Sequence, residues 1–420
     1  MSPARRVLRW AGRIAATAIT LCALIGAVRL IVPATSATGE PPGVRRQLAF
    51  LREALDTGAG EEAQALFPEG YFFLHALYGL TWVDLGMRTD DATRRTALRE
   101  ARWVMERLAS DTGREPFGQD LVPAYGVFYR GWCNWLRGGL LSLQPEGQRD
   151  PAELRRFADD SAELARAFDA ARSPYLEAYP RQSWPVDSTV AMASLRLHDK
   201  LLPPLYTATV ARWLQRTRDR LDPRTGLLPH QAAPGTGAPT EVARGSSQSL
   251  IQRFLVDIDP SFAAGQYTRF RDRYVVTPLG LGPAVREYPA GMDGPADVDS
   301  GPLPLGVSLS ATAVTLGAAQ AHGDTPLAGA LANYGELAGL PAGTPWTKRY
   351  ALGLLPIGDA FLAWSKTARP WVAEPPAPPP ASVAWWWRLP LLAVLAVLAV
   401  APWLPALRRR RGGSPSSSGR

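Results

Sequence analysis

The sequence predicts an all-α protein, an (α/α)6 toroid flanked by an N-terminal and a C-terminal transmembrane helix. Three observations predict it. Apolar residues recur at helical spacing through the middle of the chain, without alternating strand runs or hairpin turn pairs. About twelve helices result, joined mostly by short polar or Gly/Pro links. An apolar run stands near each end, with arginines on its outer side. Helices in hairpin pairs suggest six inner and six outer ones. A right-handed solenoid of helix pairs is the competing architecture, and the lack of a fixed short repeat counts against it.

The elements follow in order. Residues 1–38 form a basic cytoplasmic end and an anchor. Their apolar run, Ile14 to Val28, follows Arg5, Arg6, Arg9 and Arg13 and is interrupted by Arg29. Leu30, Ile31 and Val32 extend it while Arg29 snorkels, which favours an uncleaved anchor. The alternative is a signal peptide, for which Thr35, Ser36 and Ala37 supply small residues. Arg5–Arg6 is a weak twin-arginine signal. Residues 39–369 form the extracytoplasmic domain. Helices are expected at Val44–Leu55, Gly70–Gly86, Ala92–Leu108, Ala124–Leu143, Ala152–Ala171 and Val186–Leu202. More are expected at Tyr206–Leu221, Gly245–Asp257, Ser261–Tyr274, Leu305–His322, Pro326–Leu337 and Leu355–Ser365. Residues 370–383 are proline-rich and read as a stiff extended stalk. Residues 384–408 form the second span. Its apolar run, Leu389 to Leu407, opens on Trp385, Trp386 and Trp387, as an interfacial belt does, and ends on Arg408 to Arg411. Residues 409–420 are a basic tail. Positive charge beside a span stays in the cytoplasm, so both termini are cytoplasmic and the domain lies outside the cell membrane.

The arginines also explain the composition. The segment to Pro33 carries five positive charges and no acid, and the segment from Ser382 carries six. Removing these from the formal net charge of +8 leaves about −3 for the middle, which argues against a nucleic-acid partner. Cys22 lies in the first span and Cys133 is the only cysteine of the domain, so no internal disulfide is expected. His75, His198, His230 and His322 are scattered singly, without zinc spacing. No metal or cofactor is expected, and the oligomeric state is not legible.

Polar and Gly/Pro clusters sit just before alternate helices: Glu115 to Trp132, Ala178 to Ser188, Thr240 to Gln248 and Arg286 to Pro302. If alternate helices line the inside of a ring, these four segments converge at one mouth, where helix N-termini favour a hydroxylated or anionic ligand. Paired carboxylates in an apolar cleft suit general acid–base chemistry, one protonated and one ionised. Asp187, Glu287 and Asp299 are the candidate catalytic acids. An N-cap role is the plain alternative for Asp187, and N-capping or a calcium site for Asp297 and Asp299. Arg244 is a candidate for a substrate carboxylate, with a structural salt bridge as its alternative. Tyr125, Phe128, Trp132, Trp184 and Tyr288 offer aromatic faces to a ligand, and Asp297 completes the binding set; ordinary core packing is the alternative for Phe128 and Trp132.

From Tyr71 to about Trp364 the chain resembles the linalool dehydratase-isomerase family. The resemblance is carried by GYFFLHALYGLTWVDLG, PFGQDLVPAYGVFYRGW, DSTVAMASLRLHDKL and DPRTGLLPH, and by IDPSFAAGQYTRF with REYPAGMDGPADVDSGPLPLGVSLSATAVTLGAAQAHGD. It implies an extracytoplasmic (α/α)6 toroid and terpenoid chemistry. Two catalytic cysteines of that family align with Ala178 and Asp187, and a catalytic histidine aligns with Trp132. A carboxylate at 187 therefore stands where the family keeps an acid–base group. DPRTGLLPH and ARGSSQSL are more loosely similar to unsaturated glucuronyl hydrolases, which share the toroid; the tryptophan of the usual A-R-G-x-x-W is missing.

The expected function is an acid–base hydrolase or lyase acting on a saccharide or another hydroxylated compound. The alternatives are an alkenol or terpenoid dehydratase-isomerase with altered site residues, and a non-catalytic toroid that binds a glycan or protein. A long polar cleft would mark the first, a small apolar pocket the second, and acids tied up in salt bridges the third.

Overall fold

A computed structural model describes residues 3–404, except 381, 382 and 385. Helix dominates it. The N-terminal helix α1 is Pro3–Ile31. The domain helices are α2 (Val44–Asp56), α3 (Ala59–Leu66), α4 (Gly70–Gly86), α5 (Asp91–Leu108), α6 (Asp111–Arg114), α7 (Gly126–Ser142) and α8 (Pro151–Ala170). They continue with α9 (Pro185–Leu201), α10 (Thr207–Arg218), α11 (Gly245–Ile258), α12 (Pro260–Tyr274), α13 (Leu309–Ala321), α14 (Thr325–Ala338) and α15 (Pro356–Thr367). Near the C-terminus stands α16 (Leu389–Val400). The sequence periodicity finds twelve of the domain helices and misses the short α3 and α6. Two small antiparallel ribbons, Val275–Val276 with Ala284–Val285 and Ala342–Gly343 with Lys348–Arg349, were also not anticipated.

Starts follow local chemistry. Asp90, Asp150, Asp259, Ser308 and Asp324 each accept a hydrogen bond from a backbone N–H of the first turn they precede. Proline occupies the first turn of α8, α9, α12, α14 and α15.

Packing sorts the helices into two sets. Helix α4 packs on α7, α7 on α9, α9 on α11, α11 on α13, α13 on α15 and α15 on α4, so these contacts close into a cycle. Helices α5, α8, α10, α12 and α14 each pack on the cycle helix they follow, and α2 packs on α15 and α4. The cycle helices are the more buried ones: α4 buries nearly every residue, whereas α5 buries one stripe and faces solvent with the rest. Glycines let them approach. A Cβ on Gly131 would stand 3.0 Å from that of Ala191, and one on Gly138 would stand 2.5 Å from Leu197.

One end of the cycle is closed. The chain leaving α15 crosses the C-terminal ends of the cycle helices, and Trp371 stacks on Trp135 at 4.4 Å with the rings nearly parallel. Asp257 accepts from the N–H groups of Trp371 and Val372, and Asp84 accepts from the Trp371 indole. Arg253, fully buried, pairs with Asp257 and donates to Arg369 O. The expected stalk is thus no free spacer. Its start forms this floor, and farther on Pro380 O accepts from Arg271.

The two apolar runs differ in length. Arg9–Ile31 of α1 is long and apolar enough to cross a membrane. The described part of the second run is a helix of only 12 residues, continued by a tight turn to Trp403. Trp385, residues 405–407, the Arg408–Arg411 cluster and the tail at 409–420 lie outside the described residues. Helix α16 packs antiparallel to α1: Arg388 donates to Leu30 O at one end, and Thr20 donates to Ala399 O at the other.

Candidate functional site

A cavity of about 640 Å³ opens at the N-terminal ends of the cycle helices. All four polar segments singled out from the sequence contribute to its wall, through Phe128 and Trp132, Trp184 and Asp187, Ser246 and Ser247, and Val298 to Pro302. Two more contribute that the sequence reading missed. Phe67 and Glu69 precede α4, and the stretch from Tyr334 to Asp359 leads into α15. The wall is mainly apolar and aromatic. Phe73, Phe128 and Trp132 meet edge to face or tilted, with centroids 5.2 to 6.4 Å apart.

Four acids line this cavity, and three of them, Glu69, Asp187 and Asp299, act on one another electrostatically. Asp187 is the third residue of α9, whose cap position is Trp184, so its carboxylate is not used for capping. It is 4% exposed, and among the described residues no side-chain hydrogen bond holds it. Burial raises its pKa well above the usual carboxylate range, and the charges of Glu69 and Asp299 raise it further. Every influence on it favours the proton. Asp299 opens onto the cavity yet is closely surrounded by protein; burial, then Asp297 and Glu69, push it up to about 6 against the pull of Arg244. Tyr179 donates to Glu69. The cavity thus holds one carboxyl kept protonated beside Asp299, pushed up only to about 6, the arrangement that general acid–base catalysis requires.

Other expected site residues fall behind this wall. Glu287 is fully buried and accepts from Arg244 Nε at 2.8 Å, from Ser246 Oγ at 2.7 Å and from the Ser246 N–H at 3.0 Å. It anchors the start of α11 and does not face the cavity. Arg244 lies between Glu287 and Asp297, 2.5 Å from the latter, so its charge is spent on joining two loops. Asp297 is engaged twice, by Arg244 and by the Ser300 N–H. Tyr288 packs its ring under Arg244 and donates to Pro295 O. Tyr125 caps α7 in a left-handed conformation, with its ring near Arg114 and Tyr129. None of these five lines the cavity; their loops were read correctly, but their side chains fold inward on the loops themselves.

His230, Asp297 and Asp299 place one ligand atom each within 4.8 Å of one another. His230 is held neutral, at about 3, by burial and by Arg244, and its Nδ1 contacts Ser247 Oγ. Both Asp297 oxygens are occupied, so the group fits a hydrogen-bonding loop better than a metal centre. Elsewhere on the wall, Tyr350 and Asp359 belong to a second network. Burial pushes Asp359 up to about 7, although Tyr350 N–H and Gln47 donate to it. The Tyr350 hydroxyl, Lys366 and Lys348 all converge on Glu336.

No protein-family model matches the chain.

Proposed function

We propose that this chain is a membrane-anchored acid–base lyase or isomerase on an (α/α)6 toroid, acting on an apolar hydroxylated compound of the alkenol class. One observation carries the reading: a buried, unpaired Asp187 faces an apolar cavity with only acids as charged neighbours. The closed cycle of six helices, with an outer helix on each, supports the toroid. The likeness to the linalool dehydratase-isomerase family gains support because Asp187 and Trp132, two of its aligned positions, share the cavity. The apolar wall favours an alkenol over a saccharide, which would need a long polar cleft.

The chemistry balances without a cofactor. Neutral Asp187 gives its proton to the substrate hydroxyl as the C–O bond breaks, and water leaves. Ionised Asp299 takes a proton from the neighbouring carbon, which leaves a new C=C bond. That proton returns to Asp187 within the acid cluster. Reversal with water returning at a different carbon gives isomerisation.

The anchor reading rests on α1 and on its antiparallel pairing with α16, which supports a second span that begins at about Leu389. Such a pair brings both termini to one side, and the arginine clusters favour the cytoplasm for them.

The test is turnover of a panel of allylic and tertiary C10–C15 alcohols by the detergent-solubilised full chain, followed by gas chromatography, with oligosaccharides and unsaturated uronides run in parallel. Alkenol dehydration that disappears in Asp187→Asn is the expected result. Alkenol turnover unchanged in Asp187→Asn removes the mechanism, and turnover of the uronides alone restores the saccharide reading.

A further inference from the structure

Four leucines stand at tight backbone corners; Leu340 lines the cavity, and Leu305 and Leu352 lie within three residues of others that do. Leu279 is 80% exposed, Leu305 65%, Leu340 64% and Leu352 65%. All four have positive φ, between 46° and 60°, a conformation that bulky side chains avoid. Three of them build the same turn. Leu281 N–H donates to Pro278 O, Val307 N–H to Pro304 O and Leu354 N–H to Ala351 O, and the next residue is a glycine with positive φ. This corner normally carries Asn or Gly. Here it presents a leucine outward, and Leu354 and Trp346 are exposed as well. Leu309, Leu340 and Leu355 continue the apolar surface into the cavity itself.

The rim is tied to α1 at several points. Asn333 of α14 donates to the carbonyls of Arg29 and Val32 at the end of α1, and Arg29 donates to Pro341 O. Leu337 lies against Gly26, 3.1 Å from where its Cβ would stand. Gly26 precedes the end of α1 by five residues, roughly 7.5 Å of helix. The end of α14 and the Leu340 turn therefore lie beside the apolar stretch of α1 and not above it. The Leu352 turn is joined to the same place, because Ala351 N–H donates to Gly339 O. The Leu279 turn reaches it through Gly282, which packs on the ring of Tyr334. Tyr334 in turn joins the cluster of Leu30 and Trp387.

We propose that this leucine rim is immersed in the lipid leaflet around α1, and that the cavity opens into that leaflet and not into water. The substrate is then an apolar alcohol dissolved in the bilayer, drawn in laterally past Leu305, Leu340 and Leu352. The inference rests on the membrane-anchor reading above. It explains why apolar side chains occupy strained turn corners in contact with solvent: immersed in acyl chains, each leucine is removed from water.

Spin labelling tests it on the full chain reconstituted in phosphatidylcholine vesicles. In a Cys22→Ser background, labels go on Leu279→Cys, Leu305→Cys and Leu352→Cys. Leu24→Cys in α1 serves as the lipid reference, and Leu205→Cys, exposed in the loop after α9, as the water reference. Collision with dissolved oxygen is compared with collision with a neutral nickel chelate. The rim labels should follow Leu24, with oxygen dominant, while Leu205 favours nickel. If the rim follows Leu205 while Leu24 stays in lipid, the rim inference is overturned and the anchor stands. If Leu24 also favours nickel, the anchor reading fails and the inference fails with it.

Discussion

Carboxylates are buried at both ends of the helix cycle, and Asp187 at the mouth is treated in the opposite way to the two at the floor. At the floor, Asp257 accepts from two backbone N–H groups and pairs with Arg253, and Asp84 accepts from an indole N–H and a threonine hydroxyl. Burial still raises both, but every other influence on them lowers the pKa. At the mouth, burial, Glu69 and Asp299 all raise Asp187, and no named influence opposes them. A chain selected for stability alone would supply a counter-charge or replace the acid. The mouth is therefore where stability has been given up, and strongly perturbed groups in a cleft mark functional sites.

The floor should give the largest effect. Asp257→Ala leaves Arg253 buried without its partner and removes the acceptor for two N–H groups. A cost of about 3–5 kcal/mol is expected for breaking such a pair. Thermal unfolding of the detergent-solubilised chain, followed by circular dichroism, measures it. A change below about 1 kcal/mol would mean that the Trp371 segment is not a structural floor, and the contrast with the mouth would fall.

The mouth should respond in the other direction. Asp187→Asn should lower turnover by ~10²–10⁴-fold, yet raise the unfolding temperature at pH 8. The sign follows from linkage. An acid whose folded pKa is raised stabilises fully below its unfolded value near 4, and that stability is lost as pH rises towards the folded value. Asparagine has no such loss, so its advantage at pH 8 should shrink steadily as pH approaches 4. A destabilised Asp187→Asn at pH 8 would show that the aspartate is paired after all. Asp299 sharpens the same point. Its folded value of about 6 predicts that turnover falls on the acid side near that pH, as the base is protonated. Asp299→Asn should remove most turnover at every pH, and a variant that keeps both turnover and the acid limb would show that another group is the base.

Much of this contrast is legible in the sequence, and the remainder fails for identifiable reasons. Helical periodicity locates α4 to its exact ends, because fifteen of its seventeen residues are buried. Asp187 is legible because it opens an otherwise apolar helix after Trp184 and Pro185. Glu69 is not, because its segment, FPEG, looks like an ordinary link and only the closing contact of α15 on α4 brings it to the mouth. Glu287 lies off the cavity, and Arg244 takes its salt-bridge alternative, for a related reason. Loop composition shows which segments gather, but not whether a side chain turns towards the cavity or back onto its own loop. The Pro278–Gly280 and Ala351–Gly353 turns read as links, and the Pro304–Gly306 turn falls at the start of the expected helix Leu305–His322, which begins only at Leu309, since nothing in three residues signals a leucine held at positive φ.

The smallest effect should come from Tyr179, which separates holding an acid from being one. Its hydroxyl donates to Glu69, and its ring stands edge-on to Trp184 at 5.7 Å. Tyr179→Phe keeps the ring and its packing. It removes one hydrogen bond to a charged group, worth about 1.5–3 kcal/mol at most and less where water enters. Unfolding should therefore shift little, and turnover should fall by about tenfold, the equivalent of about 1.4 kcal/mol. Tyr288→Phe is the matching control, since its hydroxyl also makes one bond, to Pro295 O, but away from the cavity. It should cost comparable stability and leave turnover unchanged. If Tyr288→Phe lowers turnover as much as Tyr179→Phe, the mouth is sensitive to any loosening of its loops, and Glu69 has no special part in the acid cluster. If only Tyr179→Phe acts, and acts on kcat more than on KM, the orientation of Glu69 against Asp187 is what the hydroxyl supplies.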